Sequence, residues 1–193
     1  RGNIVIPRCC KKGAIPLFFP LGFRPHAHQI QNIEVALRQA KDWFDSLGWQ
    51  AFPFQMACWE AMQQGKSGVL NAPTGSGKTY GVLLGALGRH PDMDSDDQPE
   101  GPLVIWITPL RALAQEIALA STRAVEGMGL SWKVAVRTGD TTSRQRQGIR
   151  KSPPQILITT PESLHLLLSS SGYEQWFGRL DTIVVDEWHE LLG

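Results

Sequence analysis

From residue 68 onward, two kinds of segment alternate, and this alternation limits the folds available to the chain more than any other feature of its sequence. Short apolar segments rich in β-branched residues alternate with longer segments whose apolar residues have helical spacing. Such alternation predicts an α/β fold, a three-layer arrangement in which a parallel sheet carries helices on both faces. The nearly continuous apolar run at 103–107 is typical of a strand buried on both sides. The predicted strands are Gly68–Ala72, 103–108, 133–137, 156–160 and Thr182–Asp186, and the predicted helices between them are Lys78–Leu87, 110–125, 143–150 and 161–169.

The part of the chain before this alternation is predicted to divide in two. Residues 1–27 contain four prolines and no steady period, which indicates an irregular N-terminal segment of unknown role. Helices are expected at 28–46 and 55–64, so the domain is predicted to span 28–193. The apolar run at 13–23 is too short to span a bilayer and lacks a signal-peptide cleavage site. We therefore expect no membrane association.

Charge and cysteine content set further bounds. The formal net charge is +1, so a nucleic-acid contact would have to come from locally placed Arg and Lys rather than from bulk charge. Cys9, Cys10 and Cys58 form no CxxC pair and no plausible disulfide set. We therefore expect a reducing, cytoplasmic location and no zinc. The acidic, proline-containing stretch at 89–102 predicts a solvated loop.

A phosphate-binding loop is predicted between the first strand of the alternation and the helix that follows it. Its sequence is Ala72-Pro73-Thr74-Gly75-Ser76-Gly77-Lys78-Thr79. The glycines allow a tight turn that directs backbone N–H groups at phosphate oxygens, and the helix N-terminus adds partial positive charge. Lys78 is expected to reach the β- and γ-phosphates of ATP, and the Thr79 hydroxyl to ligate Mg²⁺. Ala72 departs from the general pattern, which has glycine at that position.

The last predicted strand, Thr182–Asp186, ends in two adjacent carboxylates, Asp186 and Glu187. A strand end close to a phosphate-binding loop is where a carboxylate that holds Mg²⁺ belongs, so Asp186 is predicted to bind the metal. Glu187 is predicted to polarise the attacking water as general base, because alternation along an extended chain points the two side chains apart. Together with Lys78 and His189, these carboxylates form the predicted catalytic set.

Two threonine–proline pairs, Thr108-Pro109 and Thr160-Pro161, follow predicted strands and are typical of helix starts. Folding alone could account for both pairs, and for Glu162 at the positive end of its helix. Alternatively, the N–H groups at these helix starts bind backbone phosphates without reading the sequence, and Arg111 adds a charge at one phosphate.

Other residues have two interpretations each. Gln55 is expected to face adenine, because an amide offers a donor and an acceptor together, or else to be a plain polar helix residue. The tryptophans at 43, 49 and 59 are expected to pack in the core or between domains rather than to stack on bases. A basic cluster after the third predicted strand either forms a solvated helix face or contacts nucleic acid. It consists of Arg137, Arg144, Arg146, Arg150 and Lys151.

Six motifs, in order, resemble those of the superfamily-2 DEXH-box helicases over about residues 43–193. The sequence Asp186-Glu187-Trp188-His189 resembles the defining motif of that group, and the phosphate loop resembles its version of that loop. Phe52-Pro53-Phe54-Gln55 resembles its adenine-reading Q motif. Three segments resemble its strand-tracking motifs: Thr108-Pro109-Leu110-Arg111, Arg137-Thr138-Gly139-Asp140-Thr141 and Thr159-Thr160-Pro161-Glu162. The amino-acid sequences of these segments most resemble those of the Lhr-type, ligase-associated DEXH-box helicases.

This resemblance implies a RecA-like P-loop domain that binds ATP and Mg²⁺ and contacts single-stranded DNA through Thr108, Pro109, Arg111, Thr138, Gly139, Asp140, Thr160, Pro161 and Glu162. It implies a helicase that translocates 3′ to 5′ and unwinds DNA duplexes, with RNA–DNA hybrids among the implied substrates. A role in DNA repair beside a DNA ligase and a nuclease follows from the family name.

In this family, closure against a second RecA-like domain supplies an arginine finger. The sequence stops just after the carboxylate motif, so we expect an incomplete motor that hydrolyses ATP poorly by itself. Two alternatives share these motifs. One is an ATP-dependent translocase on double-stranded DNA, and the other is a nucleotide-switched nucleic-acid-binding module that does not unwind.

Overall fold

In the computed structural model, the described residues are 2–6, 27–73, 75–90 and 101–191, and they form a six-stranded sheet with helices packed around it. The strands are β1 Gly2–Ile6, β2 Gly68–Ala72, β3 Val104–Ile107, β4 Val134–Arg137, β5 Ile156–Thr159 and β6 Thr182–Asp186. Their order across the sheet is β2-β1-β6-β3-β5-β4. Strand β1 is antiparallel to both of its neighbours, whereas β3 to β6 pair in parallel. Because β2 and β6 both oppose β1, the five predicted strands share one direction, and the predicted parallel sheet is confirmed for them.

The predicted helices are confirmed, each within two residues at either end. They are α1 Ala27–Ser46, α2 Pro53–Gln63, α3 Lys78–Leu87, α4 Arg111–Gly127, α5 Ser143–Lys151 and α6 Pro161–Leu168. The sequence did not predict the short helix α7, Tyr173–Trp176, or the 3-10 turn Trp188–Leu191. All four residues of β5 and the first three of β3 are buried, so helices cover the central strands on both faces.

Strand β1 corrects the prediction that residues 1–27 are irregular. Its residues, Gly-Asn-Ile-Val-Ile, pair with all five residues of β2 and with the end of β6. The run Ile4-Val5-Ile6 is β-branched and suits a strand with neighbours on both sides, but the four prolines of this segment dominated the prediction. The apolar run at 13–23 and the cysteines Cys9 and Cys10 lie outside the described residues.

The early tryptophans divide between the core and its edge. Trp59 is buried, and its Nε1 donates to the Tyr80 carbonyl at 3.1 Å. Trp43 is also buried, as predicted. Trp49, in contrast, is 44% exposed and lies against Trp43, Phe44 and Tyr80 at the edge of an aromatic cluster. Trp43 and Trp59 are therefore core residues, whereas Trp49 is not, and the alternative expected for it, packing between domains, stays a prediction.

Among the residues that the structure describes, no helix combines the length and the apolar character needed to cross a bilayer. Much of the stretch predicted as a solvated loop, 91–100, lies outside those residues. At its two ends the prediction is wrong, because Gly101 is buried against the Trp176 carbonyl and Arg89 is tied to Asp181.

Asp181, which immediately precedes β6, fastens the segment after α3 to the sheet. Arg89 donates to it from Nε and Nη2, at 2.5 and 2.8 Å, and His90 Nε2 lies 3.4 Å away without hydrogen-bond geometry. Burial by itself would raise the pKa of Asp181. The His90 and Arg89 side chains outweigh that effect and hold the pKa well below its ordinary value.

We expect Asp181→Asn to lower the free energy of unfolding at pH 7 by about 1.5–3 kcal/mol, since a charge-assisted, two-nitrogen pair is lost. A depressed pKa contributes stability above the ordinary Asp value of about 3.9 and loses it at lower pH. The difference between variant and wild type should therefore shrink as pH falls below about 4. Urea denaturation across a pH series measures this. Asp140→Asn is the control, because the Arg111–Asp140 pair is 61% and 70% exposed and should contribute little.

Candidate nucleotide and nucleic-acid site

The predicted phosphate loop connects the end of β2 to the start of α3. Gly75 and Gly77 have φ values of +78° and +82°, a left-handed conformation that strongly favours glycine. The Ser76 hydroxyl donates to the Pro73 carbonyl at 2.7 Å, which closes the turn. No side chain caps α3, so its first N–H groups remain available to an anion. The loop therefore has the backbone that phosphate binding requires; Thr74 lies outside the described residues.

Lys78 is the first residue of α3, and its Nζ donates to the Ala72 carbonyl at 2.8 Å, across the mouth of the loop. Thr79 follows it in the first turn with a partly exposed side chain. The ends of β2 and β6, at Ala72 and Asp186, pair with residues of β1 that are two positions apart, so both lie at the same end of the sheet. Since only β1 separates β2 from β6, their axes lie about 10 Å apart. Loop and carboxylate thus share one end of the sheet.

Asp186 is buried at 5% exposure, and its carboxylate is held on both oxygens. Trp106 Nε1 donates to Oδ2 at 3.3 Å, and the Glu187 N–H donates to Oδ1 at 3.0 Å. Burial, with a smaller effect from the Glu187 charge, raises the pKa of Asp186, although the hydrogen bond from Trp106 and the Lys78 charge oppose the rise. Trp106 is a positioning residue that the sequence did not reveal, because it lies in an apolar run and has no motif of its own.

The backbone at Glu187 differs from the extended conformation that the sequence predicted for it. Glu187 has φ of 48° and is the one non-glycine residue of the described chain in the left-handed region. The strand ends at Asp186 and the chain turns sharply at Glu187, so alternation along an extended chain does not set the orientation of this side chain. A bulky residue held in this conformation is strained, and such strain clusters at functional sites. His189 lies in the 3-10 turn Trp188–Leu191, and its side chain is outside what the structure describes.

The oxygen donors at this end of the sheet fit Mg²⁺. Thr79 offers a hydroxyl and Asp186 a carboxylate, which are the hard ligands that Mg²⁺ prefers. No group of three or more His, Cys, Asp or Glu side chains within the described ranges could enclose a metal. One or two protein oxygens, completed by water and phosphate, is the usual arrangement for Mg²⁺ at nucleotide sites. The residues therefore fit a magnesium ion carried with a nucleotide.

Gln55 is 2% exposed and joins α2 to the phosphate loop. Its Oε1 accepts from the Phe52 N–H and its Nε2 donates to the Gly77 carbonyl, both at 2.9 Å. A Cβ at Gly77 would lie 2.8 Å from that Nε2, so the glycine also makes room for the amide. Both ends of the amide are thus engaged within the protein, which leaves one N–H and one lone pair for a ligand. Contact with adenine stays a prediction, and the structure adds support of the loop as a second role.

We expect Gln55→Leu to weaken nucleotide binding roughly tenfold and to lower stability by about 1–3 kcal/mol, because the partly buried Phe52 N–H and Gly77 carbonyl lose their partner. Gln63→Leu on the same helix is the control, since Gln63 Nε2 donates to the Gly85 carbonyl at 3.0 Å, away from the loop. It should lose stability but keep nucleotide affinity. Equal affinities for the two variants would show that Gln55 does not support the loop.

The threonines of the predicted strand-tracking motifs are mostly buried. Thr108 is 0% exposed and its hydroxyl finds no partner among the described residues. Its N–H donates to the Thr159 carbonyl, so Thr108 extends the hydrogen bonding between β3 and β5 by one residue. The residue at the N-cap position of α4 is Leu110. The N-cap prediction for Thr108 is therefore wrong. Thr160 does occupy the N-cap of α6 with Pro161 next, but its side chain makes no capping bond.

The exposed members of these motifs lie on the turns beside the buried threonines. Arg111 Nη1 pairs with Asp140 Oδ1 at 2.6 Å, and the Arg111 guanidinium also covers Gly139. The Thr138 side chain is buried, and its N–H donates to the Thr141 hydroxyl at 2.9 Å. Because so exposed an ion pair is weak, a backbone phosphate can replace Asp140 as the partner of Arg111 at little cost.

Comparison with known proteins agrees with this geometry. Residues 52–193 match the family model described as DEAD/DEAH box helicase. The chain is 37% identical over 159 residues to a Lhr helicase/probable uracil glycosylase of Mycolicibacterium smegmatis, covering 77% of this chain and 10% of that protein. It is 33% identical over 169 residues to ATP-dependent helicase Lhr-Core of Methanocaldococcus jannaschii, covering 82% of this chain and 20% of that protein. The chain thus spans a fifth or less of the length of these relatives.

Solved structures give the same result. Mycobacterium smegmatis helicase Lhr bound to ssDNA and AMP-PNP superposes with a TM-score of 0.57 at 34% identity, over 74% of this chain and 19% of that one. The DUF1998 helicase MrfA bound to DNA and AMPPNP superposes with a TM-score of 0.60 at 25% identity, over 81% of this chain and 21% of that one.

The sheet order, the phosphate loop and the carboxylate at the end of β6 define a RecA-like, P-loop nucleotide-binding domain. Within that class, the chain belongs to the DEAD/DEAH box helicase family, and its curated relatives are Lhr-type helicases.

Proposed function

We propose that this domain binds ATP with Mg²⁺ and a single strand of DNA, and that it couples hydrolysis to movement along the strand and to unwinding. The observation that carries the proposal is the shared location of Lys78 and Asp186. Lys78 contacts the end of β2 and Asp186 ends β6, and both strand ends pair with nearby residues of β1, so one metal-bound triphosphate would reach both side chains.

Each residue of the site has a distinct task in this proposal. The loop N–H groups and Lys78 hold phosphate oxygens, while Thr79 and Asp186 hold the metal. Bound Mg²⁺ neutralises charge that develops on the phosphates. Glu187, next to Asp186 in the chain, orients a water and accepts its proton. Phosphoryl transfer in this class depends on positioning and charge, which explains why so much of the site is backbone.

The strand is proposed to cross the turns that carry Pro109, Arg111, Gly139 and Asp140, and then the N-terminus of α6 at Pro161 and Glu162. Contacts of this kind recognise phosphates, so they suit a motor that must pass over any base. The relatives with bound ssDNA or DNA support this assignment. We extend the proposal to RNA–DNA hybrids as substrates, to DNA repair with a ligase and a nuclease as partners, and to a cytoplasmic location.

A direct test uses the 193-residue chain with a fluorescent ATP analogue, Mg²⁺ and a twelve-nucleotide thymidine oligomer. We expect weak nucleotide binding that requires Mg²⁺, oligomer binding that weakens with salt, and a change in either affinity when the other ligand is present. Hydrolysis should be slow and should fall about a hundredfold further in Glu187→Gln, with nucleotide binding unchanged. Fast hydrolysis stimulated by the oligomer would contradict the expected poor activity of this chain, and failure to bind Mg²⁺–nucleotide would overturn the proposal.

A further inference from the structure

A pocket of about 200 Å³ lies beside the end of β4, between α5 and the segment that contains α6 and α7. Arg137, the last residue of β4, lines it together with Arg146 and Arg150, which are one turn apart on α5. Tyr173 and Trp176 of α7 line the other side. Leu167 of α6 also lines it, so the pocket is built from a strand end and three helices, and it is separate from the phosphate loop.

The charge of this arginine pocket is one-sided. Its ten lining residues include three arginines and no carboxylate. Glu174 lies beside the pocket, and its Oε1 accepts from the hydroxyl of the lining residue Tyr173 at 3.4 Å. Burial and the charges of Arg146 and Arg150 lower the pKa of Arg137, although a guanidinium remains protonated in proteins. Positive charges held together without a counter-ion favour an anion at that place.

Two N–H donors of the arginine pocket are left without a partner in the part of the chain that the structure describes. Arg146 Nε and Trp176 Nε1 are buried and find no hydrogen-bond partner among the described residues. Other arginine nitrogens of the pocket do have partners: Arg146 Nη2 donates to the Gly139 carbonyl at 3.1 Å, and Arg150 Nη2 donates to the Ser171 carbonyl. These backbone bonds fix the guanidiniums in place, so the pocket presents positioned donors rather than mobile surface charges.

Size and position limit the ligand. Pockets for drug-sized ligands occupy about 300–1,000 Å³, so a pocket of about 200 Å³ is too small for a free nucleotide cofactor such as ATP and has room for a single nucleotide of a strand at most. The aromatic side chains offer a surface for a base, and the arginines match phosphate geometry. The Arg146–Gly139 bond joins the pocket to the turn after β4, where Asp140 pairs with Arg111 of α4.

We propose that the arginine pocket binds one nucleotide of the nucleic-acid strand, with its phosphate against Arg137, Arg146 and Arg150 and its base against Tyr173 and Trp176. This proposal rests on the proposed function, because it extends the strand path from the Gly139 turn along α5. The pocket holds the strand without reading sequence, since every base has a face that can stack.

The test measures binding of the twelve-nucleotide thymidine oligomer to the full chain by fluorescence anisotropy over a series of salt concentrations. We expect Arg137→Gln to lower affinity about tenfold and to reduce the salt slope by about 0.7, the value for one phosphate contact with a single strand. The same variant should not lower the melting temperature of the free chain, because it relieves repulsion among the arginines. Arg144→Gln is the matched control: it lies on α5 without lining the pocket and should change affinity less than twofold.

A second variant tests whether the base of the bound nucleotide contacts the aromatic side of the pocket. Tyr173 is 39% exposed, so Tyr173→Ala should fold normally. It should weaken binding of the thymidine oligomer at least fivefold but leave binding of an abasic oligomer of the same length unchanged. Free thymidine monophosphate should compete poorly, since it brings one phosphate and no adjoining strand.

The outcomes separate this proposal from the one on which it rests. If the wild-type chain binds no oligomer, both proposals fail. If it binds the oligomer but Arg137→Gln and Tyr173→Ala behave like Arg144→Gln, only the pocket assignment fails. Competition by the monophosphate as strong as by the oligomer would also overturn the assignment to the strand.

Discussion

Lys78→Ala is expected to lower the affinity of the chain for Mg²⁺–nucleotide about a hundredfold or more, while the fold remains intact. The ammonium stands at the mouth of the phosphate loop and donates to the Ala72 carbonyl at 2.8 Å, a bond that it can exchange for one to a phosphate oxygen. A charge-assisted contact to a triphosphate in a site shielded from water is worth about 3 kcal/mol, which corresponds to about a hundredfold in affinity. Titration with a fluorescent ATP analogue measures the loss.

The stability of Lys78→Ala should be close to that of the wild type, because the variant removes one hydrogen bond on a partly exposed side chain. Lys66→Ala provides the matched control, since Lys66 is exposed just before β2 and away from the loop. We expect that variant to bind nucleotide like the wild type. Nucleotide affinity equal in both variants would mean that the loop does not bind phosphate through Lys78, and the motor interpretation would fail with it.

The parts of the fold that the sequence predicted best are those fixed by local chemistry. Strands β2 and β6 and helix α3 were predicted residue for residue, because each is bounded by a strong local signal. Gly75 and Gly77 mark the loop between β2 and α3, and Asp186 marks the polar end of an apolar strand. The position of the nucleotide site at the carboxyl ends of the strands then follows from the parallel topology.

The parts that the sequence did not predict depend on contacts between distant segments. Strand β1 is defined by pairing with residues about 70 and 180 positions away, and proline content obscured it. Thr108 carries the usual sequence of a helix cap, yet its pairing with Thr159 keeps it in the sheet. The sequence revealed the basic cluster as a run of positive charges but did not reveal the arginine pocket. Part of that pocket is formed by α7, a single helical turn that is too short to give a periodic pattern.

Trp106→Ala is expected to lower the free energy of unfolding by about 3–5 kcal/mol, the largest stability effect that we predict for a single residue. Trp106 is fully buried in β3, the strand that pairs with both β5 and β6. Removing the indole leaves a cavity against one face of the central sheet and takes the Nε1 donor away from the buried Asp186 carboxylate. Urea denaturation measures the loss, which is large against a typical total stability of about 5–15 kcal/mol.

Trp106→Phe separates packing from hydrogen bonding, because phenylalanine fills most of the space but offers no donor to Asp186. We expect it to cost about 1–3 kcal/mol and to raise, severalfold, the Mg²⁺ concentration needed for nucleotide binding, since the carboxylate loses the group that orients it. Trp132→Phe is the matched control: Trp132 is 7% exposed, and its Nε1 has no partner among the described residues, so that variant removes a donor without breaking a bond. It should leave the Mg²⁺ requirement unchanged. The same Mg²⁺ requirement in both variants would show that Trp106 contributes packing alone and that β3 does not position the metal-binding carboxylate.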